Sequence, residues 1–116
     1  MPLALIGFSF GAFVQARVAS RLADAQRPAA HVVLAGMPVG PVEGGRNYEV
    51  SALPEGSVLV HGEIDDRVPL SEVLQWARAY SQPVTVIPGA DHFFKGKLPV
   101  LRALVEAELR CMPLER

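Results

Sequence analysis

The chain has 116 residues, half of them apolar, and a formal net charge of −1. This length suits one small domain, and no basic run offers the charged surface that nucleic acid or an anionic membrane would need. No uninterrupted apolar stretch reaches the ~18 residues of a membrane-spanning helix, and the single Cys111 excludes an internal disulfide. We therefore expect one domain over residues 1–116 with neither nucleic acid nor a membrane as partner, and a cytoplasmic location.

The first segment of the chain changes its periodicity within a few residues. Residues 2–7, PLALIG, form an apolar run that predicts a short buried strand. Residues 11–26, GAFVQARVASRLADAQ, then repeat their apolar side chains at helical spacing, with Arg17 and Arg21 on the opposite face. A strand is therefore followed almost at once by a helix.

Strands and helices continue to alternate along the rest of the chain. The patterns predict strands over 31–37, 57–62 and 82–89, helices over 70–81 and 98–110, and a Gly- and Pro-rich loop over 38–56. Such alternation is typical of right-handed crossovers and a parallel sheet, here of about four strands with flanking helices. Functional residues in these α/β sheets collect at the carboxyl ends of the strands.

The pentapeptide Gly7-Phe8-Ser9-Phe10-Gly11 follows the first strand and opens the first helix. It matches G-x-S-x-G, the nucleophile elbow, in which a strained backbone lifts the serine hydroxyl above the sheet. Larger side chains two residues before or after the serine would collide, which favours glycine at both places. The Phe10 N–H is the expected oxyanion donor. The alternative is a Gly-rich turn with an incidental serine.

The next two strand ends offer the acid and base that a serine nucleophile needs. Asp65 and Asp66 follow the third strand and His92 follows the fourth, in the chain order Ser…Asp…His. As alternatives, one aspartate caps the helix after Pro69, and His92 is a loop histidine without a role. Asp91 is interpreted as solvated or as support for the loop.

The remaining polar and aromatic candidates receive structural interpretations. We expect His61 to be packed or hydrogen-bonded, His31 to lie at the surface, and Phe93 and Phe94 to pack beside the His92 loop. Cys111 is interpreted as a buried or inert thiol. The histidines lack metal-ligand spacing, and no dinucleotide fingerprint or phosphate-binding loop follows any strand, so we expect no metal and no cofactor.

The segments GFSFGAF, LVHGEIDDRVPL and VIPGADHFFKGKL together resemble the α/β-hydrolase superfamily. The resemblance implies Ser9 as nucleophile, His92 as base, and Asp65, four residues after the histidine of the HG pair, as the triad acid. The ending GADHFF looks most like small, lidless, dienelactone-hydrolase-like members. The short segment between the second and third strands leaves no room for a helical cap.

The chain also departs from the pattern of this superfamily, because complete members have several strands before the nucleophile elbow. Those strands normally contribute a second oxyanion N–H and cover the edge of the elbow strand. We therefore expect a partial α/β-hydrolase fold over 1–116, with the N-terminal strands absent and an exposed edge that pairs with another copy or chain.

The expected function is a serine hydrolase acting on a small ester or thioester substrate through Ser9, His92 and Asp65, with Phe10 at the oxyanion hole. The alternative is a truncated, weak or inactive hydrolase fragment that serves at most as an interaction or structural module.

Overall fold

Strands and helices alternate along the computed structural model, which describes residues 2–42 and 46–111. The elements are β1 (Ala4–Phe8), α1 (Phe10–Asp24), β2 (His31–Ala35), β3 (Gly40–Val42), β4 (Arg46–Tyr48), β5 (Val58–Gly62), α2 (Leu70–Tyr80), β6 (Thr85–Ile87) and α3 (Leu98–Arg110). No helix in the described part of the chain is long and apolar enough to cross a membrane.

Four strands form one parallel sheet in the order β1-β2-β5-β6, which confirms the predicted architecture. Every residue of β2 is buried, because the strand has neighbours on both sides and helices over both faces. Alternate side chains of β2 therefore enter two different cores. The register aligns Gly7 with Leu34 and Leu34 with Leu59, so the strand ends meet at one edge of the sheet.

Two apolar cores lie on opposite faces of the sheet. On one face, Val32 and Leu34 pack with the small residues of α1 and with Val73 of α2. On the other face, Val33 and Ala35 pack with Phe94 and with the partly buried apolar residues of α3. The result is three layers with the sheet in the middle, as expected for strands that are linked by helical crossovers.

The predicted loop over 38–56 contains a feature that the sequence analysis missed. β3 and β4 pair antiparallel as a two-stranded sheet, and residues 43–45 between them lie outside the described residues. The Gly- and Pro-rich composition concealed this hairpin. A tertiary contact holds β4 in place: the Tyr48 ring packs edge-on against the Phe13 ring of α1, with the centroids 5.0 Å apart.

The fourth strand of the main sheet is shorter than predicted. The apolar pattern extends over 82–89, but β6 covers only Thr85–Ile87. Pro83 and Pro88 bracket it, and proline cannot donate a hydrogen bond to a neighbouring strand.

One expectation about side-chain exposure is wrong, and for Cys111 only the buried alternative is excluded. His31 is buried rather than at the surface, because its Nδ1–H donates to Glu108 Oε2 of α3 at 2.9 Å. Cys111 is exposed rather than buried, since it follows the last residue of α3, and its thiol lies 3.3 Å from the Ala107 carbonyl oxygen.

Candidate active site

Ser9 stands at the sharp turn between β1 and α1. Its backbone angles, φ 55° and ψ −125°, lie in a region that non-glycine residues rarely occupy. Such a conformation costs about 1–3 kcal/mol and persists only where neighbours enforce it. Here the Ser9 N–H donates to the Ala35 carbonyl of β2 at 2.9 Å, and the Ser9 carbonyl accepts from Ala12 N–H at 2.9 Å. The turn is thus tied to the sheet and to the helix at once.

The two glycines that flank Ser9 differ in what they tolerate. A Cβ on Gly7 would lie 2.7 Å from both Ala12 Cα and the Gly11 carbonyl oxygen, so the expected collision occurs there. A Cβ on Gly11 would meet nothing within 4 Å among the described residues. The expectation of a collision at Gly11 is therefore wrong, because its Cα, already inside α1, faces open space.

His92 lies next to Ser9 in the loop that follows β6. Its Nε2 is 2.9 Å from Ser9 Oγ, and its Nδ1 is 2.7 Å from Asp65 Oδ2. Because a carboxylate only accepts hydrogen bonds, Nδ1 carries the proton and Nε2 is left free to accept from the Ser9 hydroxyl. His92 is buried, so little water competes for these contacts.

The His92 loop is held by its neighbours in the sequence. Asp91 Oδ1 accepts hydrogen bonds from the N–H groups of Phe93 at 3.1 Å and Lys95 at 3.0 Å, which agrees with its interpretation as loop support. Phe94 is buried in the core beneath α3, as expected. Phe93 is 54 % exposed. Its ring nevertheless packs against the His92 ring at a centroid distance of 5.1 Å, as expected for a residue beside the His92 loop.

Asp65 and Asp66 have opposite environments in the turn after β5. The Asp65 side chain is fully buried, and its Oδ1 accepts from Arg67 N–H at 2.9 Å and Val68 N–H at 2.8 Å. Asp66 is exposed. Neither caps α2, whose N-cap is Pro69 without a side-chain hydrogen bond. The structure thus brings Ser9, His92 and Asp65 into one hydrogen-bonded series and leaves Asp66 outside it.

Gly62 is a site residue that the sequence analysis missed. A Cβ there would lie 2.5 Å from the Ala90 carbonyl oxygen and 2.6 Å from that of Asp91. The end of β5 and the loop before His92 therefore touch backbone to backbone, and Ile64 N–H donates to the Ala90 carbonyl at 3.0 Å. The HG pair at the end of a strand was the available signal, since glycine there permits this close approach.

His61 is packed and hydrogen-bonded, as predicted, but its partners lie inside the site. Its ring is fully buried, and its Nε2–H donates to the Val68 carbonyl at 2.7 Å. The same nitrogen is 3.4 Å from Asp65 Oδ2. Burial lowers the pKa of His61 below its usual value of 6.5, against the raising effects of the Val68 bond and Asp65, which favours the neutral ring.

Phe10 begins α1 directly after Ser9. The first N–H groups of a helix have no acceptor within the helix and carry its partial positive charge. The Phe10 N–H has no hydrogen-bond acceptor among the described residues, and it directly follows Ser9 in the chain. Exposed aromatic rings border the same spot: Phe8 is 42 % exposed, and its ring centroid is 5.4 Å from that of His92.

A cavity of about 820 Å³ among the described residues lies elsewhere. It opens between α1, the β3–β4 hairpin and α2, and Phe13, Arg17, Tyr48 and Trp76 are among its lining residues. None of the hydrogen-bonded residues at Ser9 lines it. This cavity is therefore separate from the site at Ser9.

Comparison with solved structures identifies the fold. An α/β serine hydrolase homologue from Coxiella burnetii is 31% identical to the chain, with a TM-score of 0.70, over 90% of this chain and 47% of that one. An α/β serine hydrolase without a lid from Xanthomonas campestris is 27% identical, with a TM-score of 0.73, over 99% of this chain and 50% of that one. The chain thus spans about half the length of the structures it matches.

No protein-family model and no curated protein matches the chain. The sheet order, the strained serine between β1 and α1, and the likeness to serine hydrolases over nearly the whole chain nevertheless agree with one another. By this topology and these likenesses, the chain has a partial α/β-hydrolase fold and is similar to lidless α/β serine hydrolases.

Proposed function

We propose that the protein is a serine hydrolase that cleaves carboxylic ester or thioester bonds, with Ser9 as nucleophile, His92 as general base and Asp65 as the acid that orients His92. The observation that carries this proposal is the series of short contacts from Ser9 Oγ through His92 to Asp65 Oδ2, 2.9 Å and 2.7 Å long. A serine hydroxyl becomes an effective nucleophile only with such a base and orienting acid.

The reaction has two halves. In the first, Ser9 Oγ attacks the acyl carbon while His92 Nε2 takes the hydroxyl proton, and that proton then goes to the departing alcohol or thiol. In the second, water attacks the acyl-serine, His92 takes a proton from it, and the proton returns to Ser9 as the acid leaves. Asp65 stays ionised throughout and stabilises the imidazolium that forms twice.

The negative charge that develops on the carbonyl oxygen needs a donor. We assign the Phe10 N–H, because it lies at the positive end of α1 directly after the nucleophile. One such donor is typically worth on the order of 10²–10³ in rate. The side chain of the same residue is exposed, and its ring lies against Phe13 and Tyr48 at centroid distances of 6.2 Å and 6.4 Å.

The substrate is expected to be a small acyl compound with an apolar part. Two exposed aromatic rings, Phe8 and Phe93, lie beside the His92 ring, and their centroids are 6.2 Å apart. An apolar acyl or alcohol group loses water-exposed surface when it lies on such rings. The similar structure from Xanthomonas campestris is also described as lacking a lid.

A fluorophosphonate probe tests the proposal directly, because it reacts with an activated serine and needs no knowledge of the substrate. We expect mass spectrometry to find the adduct on the peptide that carries Ser9, and p-nitrophenyl acetate to be hydrolysed. Ser9→Ala should abolish both. Ser71→Ala, which removes an exposed hydroxyl on α2, is the matched control and should change neither.

The alternative function is a hydrolase fragment without catalytic power that acts as an interaction or structural module. It draws on the coverage of about half of each similar structure. A folded chain whose Ser9 takes up no probe would favour this alternative and contradict the proposed hydrolase. Labelling that persists in Ser9→Ala would likewise show that Ser9 is not the nucleophile.

A further inference from the structure

We propose that His61 is a positioning residue for the reaction: it holds the Asp65 carboxylate in the orientation that His92 requires, through the Val68 peptide and by direct contact. This inference rests on the proposed hydrolase function. It concerns a side chain that touches neither Ser9 nor His92 by any described hydrogen bond, and it assigns a role that the Ser9–His92–Asp65 series alone does not explain.

The first step of the argument is a closed set of contacts around the turn after β5. The Val68 N–H donates to Asp65 Oδ1 at 2.8 Å, and the Val68 carbonyl accepts from His61 Nε2–H at 2.7 Å. Val68 is itself buried. The Val68 peptide is therefore held on both sides, by Asp65 at its N–H and by His61 at its carbonyl. A shift of Val68 would move the donor on which Asp65 Oδ1 depends.

The second step concerns the other carboxylate oxygen. Asp65 Oδ2 is 2.7 Å from His92 Nδ1 and 3.4 Å from His61 Nε2. Both groups near this oxygen are N–H donors, so His61 adds a second favourable dipole at Asp65 Oδ2. Together with the two backbone donors on Oδ1, each oxygen of Asp65 has its environment fixed from two directions. Rotation of the carboxylate would break contacts on both oxygens.

The third step is the protonation state of His61. Both of its close neighbours, the Val68 carbonyl and Asp65 Oδ2, accept hydrogen bonds, so the proton belongs on Nε2. Its Nδ1 is buried and has no hydrogen-bond partner among the described residues, so a second proton there would be left without an acceptor. A neutral His61 donates to the turn without placing a competing cation beside Asp65. The negative charge of Asp65 thus remains available to the imidazolium of His92.

The test compares two substitutions of His61 that differ in one property. His61→Leu fills the buried space without a donor, whereas in His61→Gln the side-chain amide can supply an N–H near the position of Nε2. His31→Leu is the matched control, because it replaces the other buried strand histidine at the opposite end of the sheet. Thermal unfolding of each variant fixes a temperature at which all are folded.

Two readouts are taken at that temperature. The first is the downfield proton resonance of the hydrogen bond between His92 Nδ1 and Asp65, identified by its loss in Asp65→Asn; it does not depend on activity. The second is the rate constant of fluorophosphonate labelling at Ser9. We expect His61→Leu to lose or shift the resonance and to slow labelling on the order of 10²-fold, as a small misplacement of a catalytic group does. His61→Gln should retain both, and His31→Leu should match the wild type.

A double-mutant cycle separates positioning from a general structural role. If His61 acts through Asp65, His61→Leu should slow labelling much less in an Asp65→Asn background than in the wild type. An equal loss in both backgrounds would overturn the inference. So would an unchanged resonance in His61→Leu, equal losses in the Leu and Gln variants, or a wild-type protein that lacks the resonance. If the wild type shows the resonance but is not labelled, the proposed function is wrong, and the resonance in the variants alone decides the role of His61.

Discussion

At the scale of single residues, the neighbouring carboxylates Asp65 and Asp66 show how position separates two chemically identical groups. Asp65 is buried and receives donors on both oxygens, whereas Asp66 projects into solvent. A buried acceptor surrounded by donors loses its function when its charge is removed, while an exposed carboxylate loses little. Replacing each aspartate in turn by asparagine therefore separates the effect of the buried carboxylate from that of the exposed one.

We expect Asp65→Asn to reduce fluorophosphonate labelling of Ser9 on the order of 10²–10⁴-fold, because His92 loses the partner that fixes its tautomer. Asp66→Asn should label at the wild-type rate. Labelling kinetics followed by intact-protein mass spectrometry measure both. Equal and large losses, or a loss in Asp66→Asn alone, would show that the acid has been assigned to the wrong residue.

His61 makes the stability of the fold depend on pH. Burial lowers its pKa in the folded protein below the usual 6.5, so below that pH the unfolded chain binds a proton that the folded chain does not. The free energy of unfolding should therefore fall as the pH drops from 6.5 towards the lowered pKa, and should be independent of this group above 6.5.

Urea unfolding between about pH 8 and pH 5 measures this dependence. The comparison is with His61→Gln, which has no titrating group at this position. We expect the free energy of unfolding to fall less on acidification in the variant than in the wild type. Parallel curves for the two proteins over this range would contradict a lowered pKa at His61.

At the scale of the elements, the regular segments were predictable because their periodicities are strong. α3 covers the predicted 98–110, and the strands around 31–37 and 57–62 are present with ends shifted by one or two residues. The missed β3–β4 hairpin depends on a contact with α1, which local composition does not encode. β6 differs from this case, because its ends have a local cause: the prolines on either side of it cannot donate a hydrogen bond to a neighbouring strand.

The candidate site, like the β3–β4 hairpin, could be predicted only in part from local sequence. Strand ends identify Ser9, the aspartate pair and His92, because parallel strands present their carboxyl ends at one edge. The link from His61 through Val68 to Asp65 could not be derived, because it depends on how a short turn folds back on its own strand. The tolerance of Gly11 could not be derived either, since the G-x-S-x-G pattern treats both glycines alike.

The elbow between β1 and α1 gives a matched pair of substitutions. Gly7→Ala forces a Cβ against the backbone of Gly11 and Ala12, and we expect it to destabilise the fold by about 1–3 kcal/mol, as overpacking does. Gly11→Ala adds a methyl group in open space at the start of a helix, where alanine is favoured, so its free energy of unfolding should be unchanged or raised by up to about 1 kcal/mol.

Urea unfolding of the two variants provides the measurement, with Ser9 labelling as a second readout of the turn. Gly7→Ala should also slow labelling, because any relief of the clash moves Ser9. Similar destabilisation by both substitutions would mean that the glycine at residue 11 meets a constraint that the described contacts do not contain.

At the scale of the whole molecule, the strands of the main sheet differ in how many strands they pair with. β2 and β5 each have a strand on either side, whereas β1 pairs only with β2 among the described residues. Leu3, Ile6 and Phe8 along this strand are each more than 40 % exposed. An edge strand with unpaired backbone groups and apolar side chains is a template for pairing with another chain.

We therefore expect the 116-residue chain to self-associate through β1, with the average mass rising with protein concentration. Ile6→Lys should shift the protein towards the monomer, because a lysine on an edge strand must be desolvated when another strand docks. Leu74→Lys, a substitution of a comparably exposed apolar residue on α2 away from β1, should leave the association unchanged. Size-exclusion chromatography with light scattering over a range of concentrations measures all three proteins. A wild-type chain that is monomeric throughout, or equal effects of the two lysines, would show that the β1 edge is not the surface of association.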